Sequence, residues 1–274
     1  MNEKAVRLLL DSVVNDTRSR TLQALPDSRS VKFALSYLDA FGYLKKELEA
    51  WNDITLEDIV RAIRLFQNVF GLTQTNTLTT QTVQAMEAPR CGYPDVAREY
   101  NARAFGVTRA AGINLPRWQK QGVLYEITDY LPGVVQAEFE EIIQRAFDAW
   151  TQHGHITVRR VKAGETPDIL ISHGAGRPAG FDGRGGILAW AHSPNAAGTQ
   201  VVAKFDSEET WALKPDQPGV RLYNVACHEF GHLFGLGHSH TMTALMAPYY
   251  NVAVAEPQQY DDIPRFQARY ASPE

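Results

Sequence analysis

Cysteine is scarce in this chain: its 274 residues carry only Cys91 and Cys227, too few for a disulfide framework. Long apolar runs are missing as well. No stretch approaches the roughly 18 residues of a membrane-spanning helix. Leu8-Leu9-Leu10 is cut off by Asp11, too soon for the core of a signal peptide, so export is not read from this sequence. Nor is there a basic stripe. Lys and Arg total 27 against 31 Asp and Glu, a net charge of −4, which argues against nucleic acid or an anionic membrane as partner. The remainder, 44% apolar and 21% charged, is ordinary for a soluble globular protein and suffices for one large domain or two modest ones.

What the chain does have is concentrated in Val225-Ala-Cys-His-Glu-Phe-Gly-His-Leu-Phe-Gly-Leu-Gly-His238. His228 and His232 are four residues apart, so on a helix they share one face, about 6 Å apart along the axis, and both imidazoles can reach one metal ion. Glu229 follows the first of them, where its carboxylate reaches a metal-bound water without ligating the metal. If the helix continued, His238 would sit about 240° around the axis from His232 and face away. The chain must therefore turn, and Gly235 is the residue able to leave the helix with positive φ. Three His around one ion leave a fourth position open, as at a catalytic rather than a structural zinc. A chance match to the five fixed positions in a chain of this length is about one in ten thousand. Downstream, in Ala244-Leu-Met-Ala-Pro-Tyr-Tyr250, Met246 alone would be core filler. After this motif it reads as the Met-turn of the metzincins, and the combination predicts a zinc protease. Cys227, beside His228, reads as a small hydrophobe.

The preceding chain is organised differently. Residues 1–30 carry one apolar run, Val6 to Val14, read as a short helix or arm. Phe33, Tyr37 with Leu38, and Phe41 form a helical stripe from Val31 to Gly42. Thr55 with Asp58 resembles a capping box for a second helix, with Ile59, Ile63, Phe66 and Phe70 on one face until Gly71. A third spans Thr80 to Met86, and three such helices make a small bundle whose stripes are core packing. Pro89-Arg-Cys-Gly-Tyr-Pro-Asp95 is expected to avoid regular structure. Its thiol, on an exposed extended segment, has two readings: incidental, or a thiolate that fills the open position on the zinc. Residues 96–117, with Arg98, Arg103, Arg109 and Arg117, suit an exposed and cleavable linker.

From Trp118 strands appear. Val123–Ile127, Ile156–Val161, Asp168–Ile171 (apolar enough to be central), Ile187–Ala191 and Val201–Phe205 read as strands, and 172–186 as Gly-rich loop. Val135, Phe139, Ile142, Ala146 and Trp150 form the apolar face of a long helix ending near Gly154. The motif helix starts at about Leu222, and Tyr260 to Tyr270 closes the chain as a helix with Pro264 in its first turn. The fold class is α+β.

Together these residues resemble the matrix metalloproteinases, over about residues 31 to 271. Tyr37-Leu-Asp-Ala-Phe-Gly-Tyr-Leu44, Phe66-Gln67 with Gly71-Leu72, and Pro89 to Asp95 are similar to that family's propeptide, and Pro-Arg-Cys-Gly-x-Pro-Asp to its cysteine switch. The resemblance implies a helical-bundle propeptide at 1–95, an activation linker at 96–117, and a metzincin catalytic domain at 118–274 built on a twisted, mostly parallel sheet. It implies that Cys91 holds the zinc until the propeptide is removed, and that Arg90 pairs with Asp95. Phe181-Asp-Gly-Arg-Gly-Gly-Ile-Leu-Ala189 and Phe205-Asp-Ser-Glu-Glu209 resemble the family's structural Ca²⁺ loop. Carried over, Asp182, Asp206 and Glu209 give carboxylates and Gly183, Gly185 and Ile187 backbone oxygens, a hard-oxygen set suited to Ca²⁺. The alternative there is a Gly-Asp turn beside a solvated acidic run.

By the same resemblance, an extended peptide pairs with Ile187, Leu188 and Ala189 on an edge strand. Asn224, Pro248, Tyr249 and Tyr250 wall a pocket for one of its side chains. Zinc activates water and the scissile carbonyl, and Glu229 moves the proton to the leaving amine. The implied partners are protein or peptide substrates and an activating protease; the implied state is a monomer, and the implied setting extracellular. Two departures stand out. The family's second, structural zinc uses His-Gly-Asp and two later His, but this chain reads His173-Gly-Ala175, Trp190 and Lys204, with His192 out of register, so one zinc is expected. No hemopexin-like repeats follow before Glu274. Two rivals are a catalytically silent binding module, against which retained Glu229 weighs, and a cell-wall amidase, because bundles like 31–86 also resemble peptidoglycan-binding modules.

Overall fold

Each helix in the first third of the chain has a local cause. In the computed structural model, which describes residues 5–8, 27–44, 54–96, 116–194 and 199–271, α1 spans Ser28–Ala40. It begins three residues before the apolar stripe because Asp27 caps it, accepting from Ser30 N at 2.7 Å. Helix α2, Leu56–Val69, opens on the Thr55/Asp58 capping box, with both reciprocal bonds formed. Helix α3 is Thr80–Met86, the predicted span. Phe66 is fully buried, meeting Tyr37 and Tyr43 edge-on at 5.5 and 5.6 Å. Gly42 (φ 86°) turns the chain where a Cβ would strike the carbonyl of Val96. Residues 97–115 of the expected linker and most of the run Val6–Val14 fall outside the described residues.

The chain divides into two compact units: Met1–Ala88 with Pro94–Ala110, and Pro89–Tyr93 with Ala111–Glu274. The second contains a six-stranded sheet of β1 (Arg90–Cys91), β2 (Gly122–Ile127), β3 (Thr157–Arg160), β4 (Ile169–Gly174), β5 (Ile187–Ala191) and β6 (Val201–Asp206), in the order β1-β5-β6-β4-β2-β3. All pairings are parallel except β5 with β6. Strand β4 lies inside the sheet, with Ile169 and Ile171 fully buried, as its apolar run predicted.

Helix α4, Gln136–Thr151, packs on the motif helix α5, Leu222–Leu233, through Phe147 stacked on Phe230 at 3.9 Å. Trp150 Nε1 donates to Cys227 O at 2.8 Å, fixing α5 one residue before His228. Val135, expected on the apolar face of α4, is its extended N-cap and 60% exposed. Strands β7 (Trp211–Ala212) and β8 (Val220–Arg221) form a small second sheet that sequence did not reveal, because two residues carry no alternation. Helix α6 is Asp262–Tyr270, with Pro264 in its first turn.

One expectation is overturned. Pro89 to Asp95 does form regular structure, because its prolines flank β1 rather than interrupt it. Arg90 N and Gly92 N donate to Gly186 O and Ala189 O on one side, at 3.0 and 2.8 Å. On the other, Cys91 N donates to Pro248 O and Tyr250 N to Pro89 O, both at 2.9 Å. Strand β5 is therefore not an open edge: β1 occupies the pairing positions assigned to a substrate.

Candidate metal centre

Helix α5 presents His228 and His232 from one face, and Gly235 (φ 81°) ends it, where a Cβ would strike the Pro116 carbonyl. The released chain returns His238. The ligand atoms of Cys91, His228, His232 and His238 all lie within 4.8 Å of one another, and all four residues are buried. His232 Nε2 is 3.3 Å from His238 Nε2 and 3.4 Å from Cys91 Sγ. A tetrahedron with zinc–nitrogen and zinc–sulfur bonds of ordinary length has edges of about 3.3–3.6 Å. Tautomers support the same reading. His228 Nδ1 and His232 Nδ1 each lie 2.7 Å from a carbonyl oxygen, of Leu245 and Leu236. A carbonyl can only accept, so Nδ1 carries the proton and Nε2 keeps its lone pair. His228 and His232 thus each offer an Nε2 lone pair to the group that also contains His238 Nε2 and Cys91 Sγ.

Cys91, read from sequence as exposed, is 5% exposed, because β1 is held from both sides. Burial pushes its thiol pKa well up, the neighbouring Glu229 carboxylate adds to this, and the Tyr93 amide opposes it by donating to Sγ at 3.2 Å. Burial drives His232 the other way, well down, helped by His238 and His228, so it stays a neutral ligand. A divalent cation inverts the thiol's preference and binds it as thiolate. The donor set therefore fits zinc. Glu229 is fully buried, and neither carboxylate oxygen has a hydrogen-bond partner. Burial raises its pKa to about 8, with Cys91 pulling the other way.

Met246, fully buried, lies against Gly231 of α5, where no Cβ fits. Its turn is tied by a residue that sequence reading missed. The Asp262 carboxylate accepts from Leu245 N at 2.8 Å, Met246 N at 3.1 Å and Gln258 N at 2.9 Å. Nothing local marks a carboxylate that serves amides 16 and 17 residues upstream. Tyr93, stacked on His232, was missed as well.

Beside His228 and Glu229 lies a cavity of about 30 Å³, lined by Leu188, Asn224, Pro248, Tyr249 and Tyr250 among others. Asn224 Nδ2 donates to Val252 O and Val254 O at 3.2 and 3.1 Å, and the Tyr250 hydroxyl accepts from Arg221 N at 3.1 Å. Ile187 and Ala189 are instead within β5, paired with Arg90 and Cys91 of β1.

The carboxylates assigned to calcium are near enough to feel one another's charge, and each accepts from a backbone amide. Asp182 Oδ1 accepts from Ile187 N at 2.7 Å, Glu209 accepts from Gly185 N, and Asp206 Oδ1 accepts from Glu208 N at 2.8 Å. Asp206 Oδ2 is buried with no partner. Burial raises the pKa of Asp206 and of Glu209, and Asp182 raises both further, a setting in which a hard dication would favour the charged forms. Gly183 and Gly185 both have positive φ, which shapes this loop. At the locus of the second zinc, Lys204 pairs across the sheet with Trp190 and places Nζ 5.6 Å from its ring, while Trp190 Nε1 donates to Ala179 O at 2.9 Å.

Comparison with known proteins agrees with this geometry. Residues 117–271 match the family model described as Matrixin. The chain is 34% identical over 261 residues to matrix metalloproteinase-27 of Tupaia belangeri, covering 90% of this chain and 47% of that protein. It is 33% identical over 257 residues to matrix metalloproteinase-27 of Homo sapiens, covering 89% and 46%. It is 36% identical over 248 residues to interstitial collagenase of Equus caballus, covering 88% and 49%. The chain thus spans about half the length of the curated relatives it matches.

Proposed function

This chain belongs to the matrixins, a family of zinc metalloendopeptidases that also use structural calcium, and on that premise we propose that it is an endopeptidase kept latent by Cys91. The observation that carries the reading is the convergence of Cys91 Sγ with three histidine ligand atoms inside 4.8 Å. His228, His232 and His238 hold the zinc and Cys91 takes the fourth position. Zinc, when bound, supplies Lewis-acid activation of water and of the scissile carbonyl. Glu229 moves the proton: it accepts from the attacking water and donates to the departing amine. Its buried, unpartnered carboxylate supports that role over a silent binding module, which has no need of a base.

The substrates are proteins or peptides, engaged in extended form along β5 once β1 has left. The cavity lined by Leu188, Asn224, Pro248, Tyr249 and Tyr250, which Arg90 and Cys91 also line, takes one of their side chains once β1 has left and widened it. No helix among the described residues is long and apolar enough to cross a membrane. The active form is a monomer released by a second protease. The test is cleavage of a quenched peptide by full-length protein. Wild type and Cys227→Ala are silent until the thiol is alkylated, whereas Cys91→Ser is active or self-processing from the start. Equal rates for wild type and Cys91→Ser before any treatment reject latency.

A further inference from the structure

Tyr93 is placed to do more than follow the thiol. Its ring lies flat on the His232 imidazole, with centroids 4.1 Å and planes 15° apart, and meets His238 edge-on at 5.8 Å. Its backbone N–H points at Cys91 Sγ, 3.2 Å away, and its hydroxyl is 3.1 Å from Ser193 Oγ. Gly92 makes this possible. A Cβ there would come within 2.8 Å of Ile187 and 3.2 Å of Trp190, so glycine lets the backbone lie flat on β5 before residue 93 folds back over the ligands.

These contacts are coupled. His232 is fixed through Nδ1 by Leu236 O and on one face by Tyr93, and its Nε2 lies 3.4 Å from the sulfur. Withdrawing the thiol breaks the N–H···S contact, pulls the ring off His232 and parts the hydroxyl from Ser193. A β-branched or small side chain at 93 would keep the backbone contact and lose the other two. We propose that Tyr93 is a positioning residue for the inhibitory thiol: an aromatic clamp that holds Cys91 at the metal by stacking on one of the metal's own ligands. The inference rests on the latent reading above and adds a determinant of how long latency lasts.

The experiment measures alkylation of Cys91 by iodoacetamide in native, zinc-loaded, full-length protein. Cys227 is fully buried, and Cys91→Ser supplies the background. Alkylation reads the open population, so weakening the clamp raises the rate. Tyr93→Val should accelerate it roughly tenfold or more, and Tyr93→Phe and Ser193→Ala, which lose only the hydroxyl contact, about two- to fivefold. Cobalt-substituted variants should keep the thiolate-to-metal charge-transfer band, since the closed state is unchanged. A wild-type rate in Tyr93→Val overturns the clamp and leaves latency standing. A wild-type protein whose Cys91 reacts as fast as in the unfolded chain, with no such band, overturns both. If Tyr93→Val does not fold, Tyr93→Phe and Ser193→Ala decide: equal acceleration supports the anchored clamp, and wild-type rates in both overturn it.

Discussion

Gly231 leaves no room for a Cβ, because the sulfur of Met246 fills the place where one would stand. The same atom would come within 2.9 Å of the Trp150 ring, so it is blocked on two sides. Gly231→Ala should therefore push the Met246 turn away from α5, one residue before His232. Overpacking of this kind costs about 1–3 kcal/mol, and in a unit of this size each kcal/mol moves Tm by about 2–4 °C. Zinc affinity should fall as well, because Leu245 O, in the displaced turn, orients His228. Melting of the zinc-loaded protein and chelator competition would measure both. An unchanged Tm with unchanged affinity would mean that the turn yields freely.

The legible parts of this molecule were those whose determinants lie close together in sequence. His228 and His232 face one way because four residues make about one helical turn, and Thr55 with Asp58 caps α2 within a single turn. What stayed hidden depends on distant partners. Asp262 looks like any acidic residue in a helix's first turn until the Leu245 and Met246 amides are seen on it. Strand β1 is two residues long and exists only because Gly186, Ala189, Pro248 and Tyr250 are aligned on either side of it. Tyr93 could not be distinguished from any loop aromatic without the His232 ring beneath it. The motif thus disclosed the metal ligands, but not what holds the thiol against them.

Glu229→Gln preserves shape and removes the base. Its carboxylate is buried, with a pKa raised to about 8 by that burial and pulled back by the neighbouring Cys91 thiol, so in the alkylated protein the amide replaces it in the same shape. The variant, activated by alkylation, should bind zinc as wild type does and lose about 10²- to 10⁴-fold in kcat/KM. Near wild-type turnover in the metal-loaded variant would remove Glu229 from the proton path.

Where a second zinc would need ligands, Lys204 sets its ammonium over Trp190 and Trp190 donates to Ala179 O. His173, Ala175, Trp190 and Lys204 cannot provide a closed set of nitrogen, sulfur or carboxylate donors. Elemental analysis of purified protein should find one zinc per chain, and Cys91→Ser should leave that number unchanged, because three histidines suffice. Two tightly held zinc ions would show that His192 or another donor completes a site after all.

Calcium binding should depend on pH with a definite sign. Asp206 and Glu209 have folded-state pKa values raised by burial first, with Asp182 adding to both. A raised carboxylate pKa means that the metal-free fold is favoured when these groups are protonated. That contribution is fully present below about pH 4 and is lost as pH rises through the folded values. Calcium replaces the protons, so the rise in Tm that it produces should be near zero at about pH 4 and grow toward neutrality. Free calcium at a hundredfold excess over Kd stabilises by about 2.7 kcal/mol, a shift of several degrees. Asp206→Asn removes one carboxylate oxygen from the buried side of the loop and should abolish most of the rise at pH 7, while raising the Tm of the calcium-free protein. Melting curves at pH 4 and 7, with calcium and with chelator, test all of this. A calcium increment that is equal at both pH values, or that survives Asp206→Asn, would mean that the three carboxylates do not form the site.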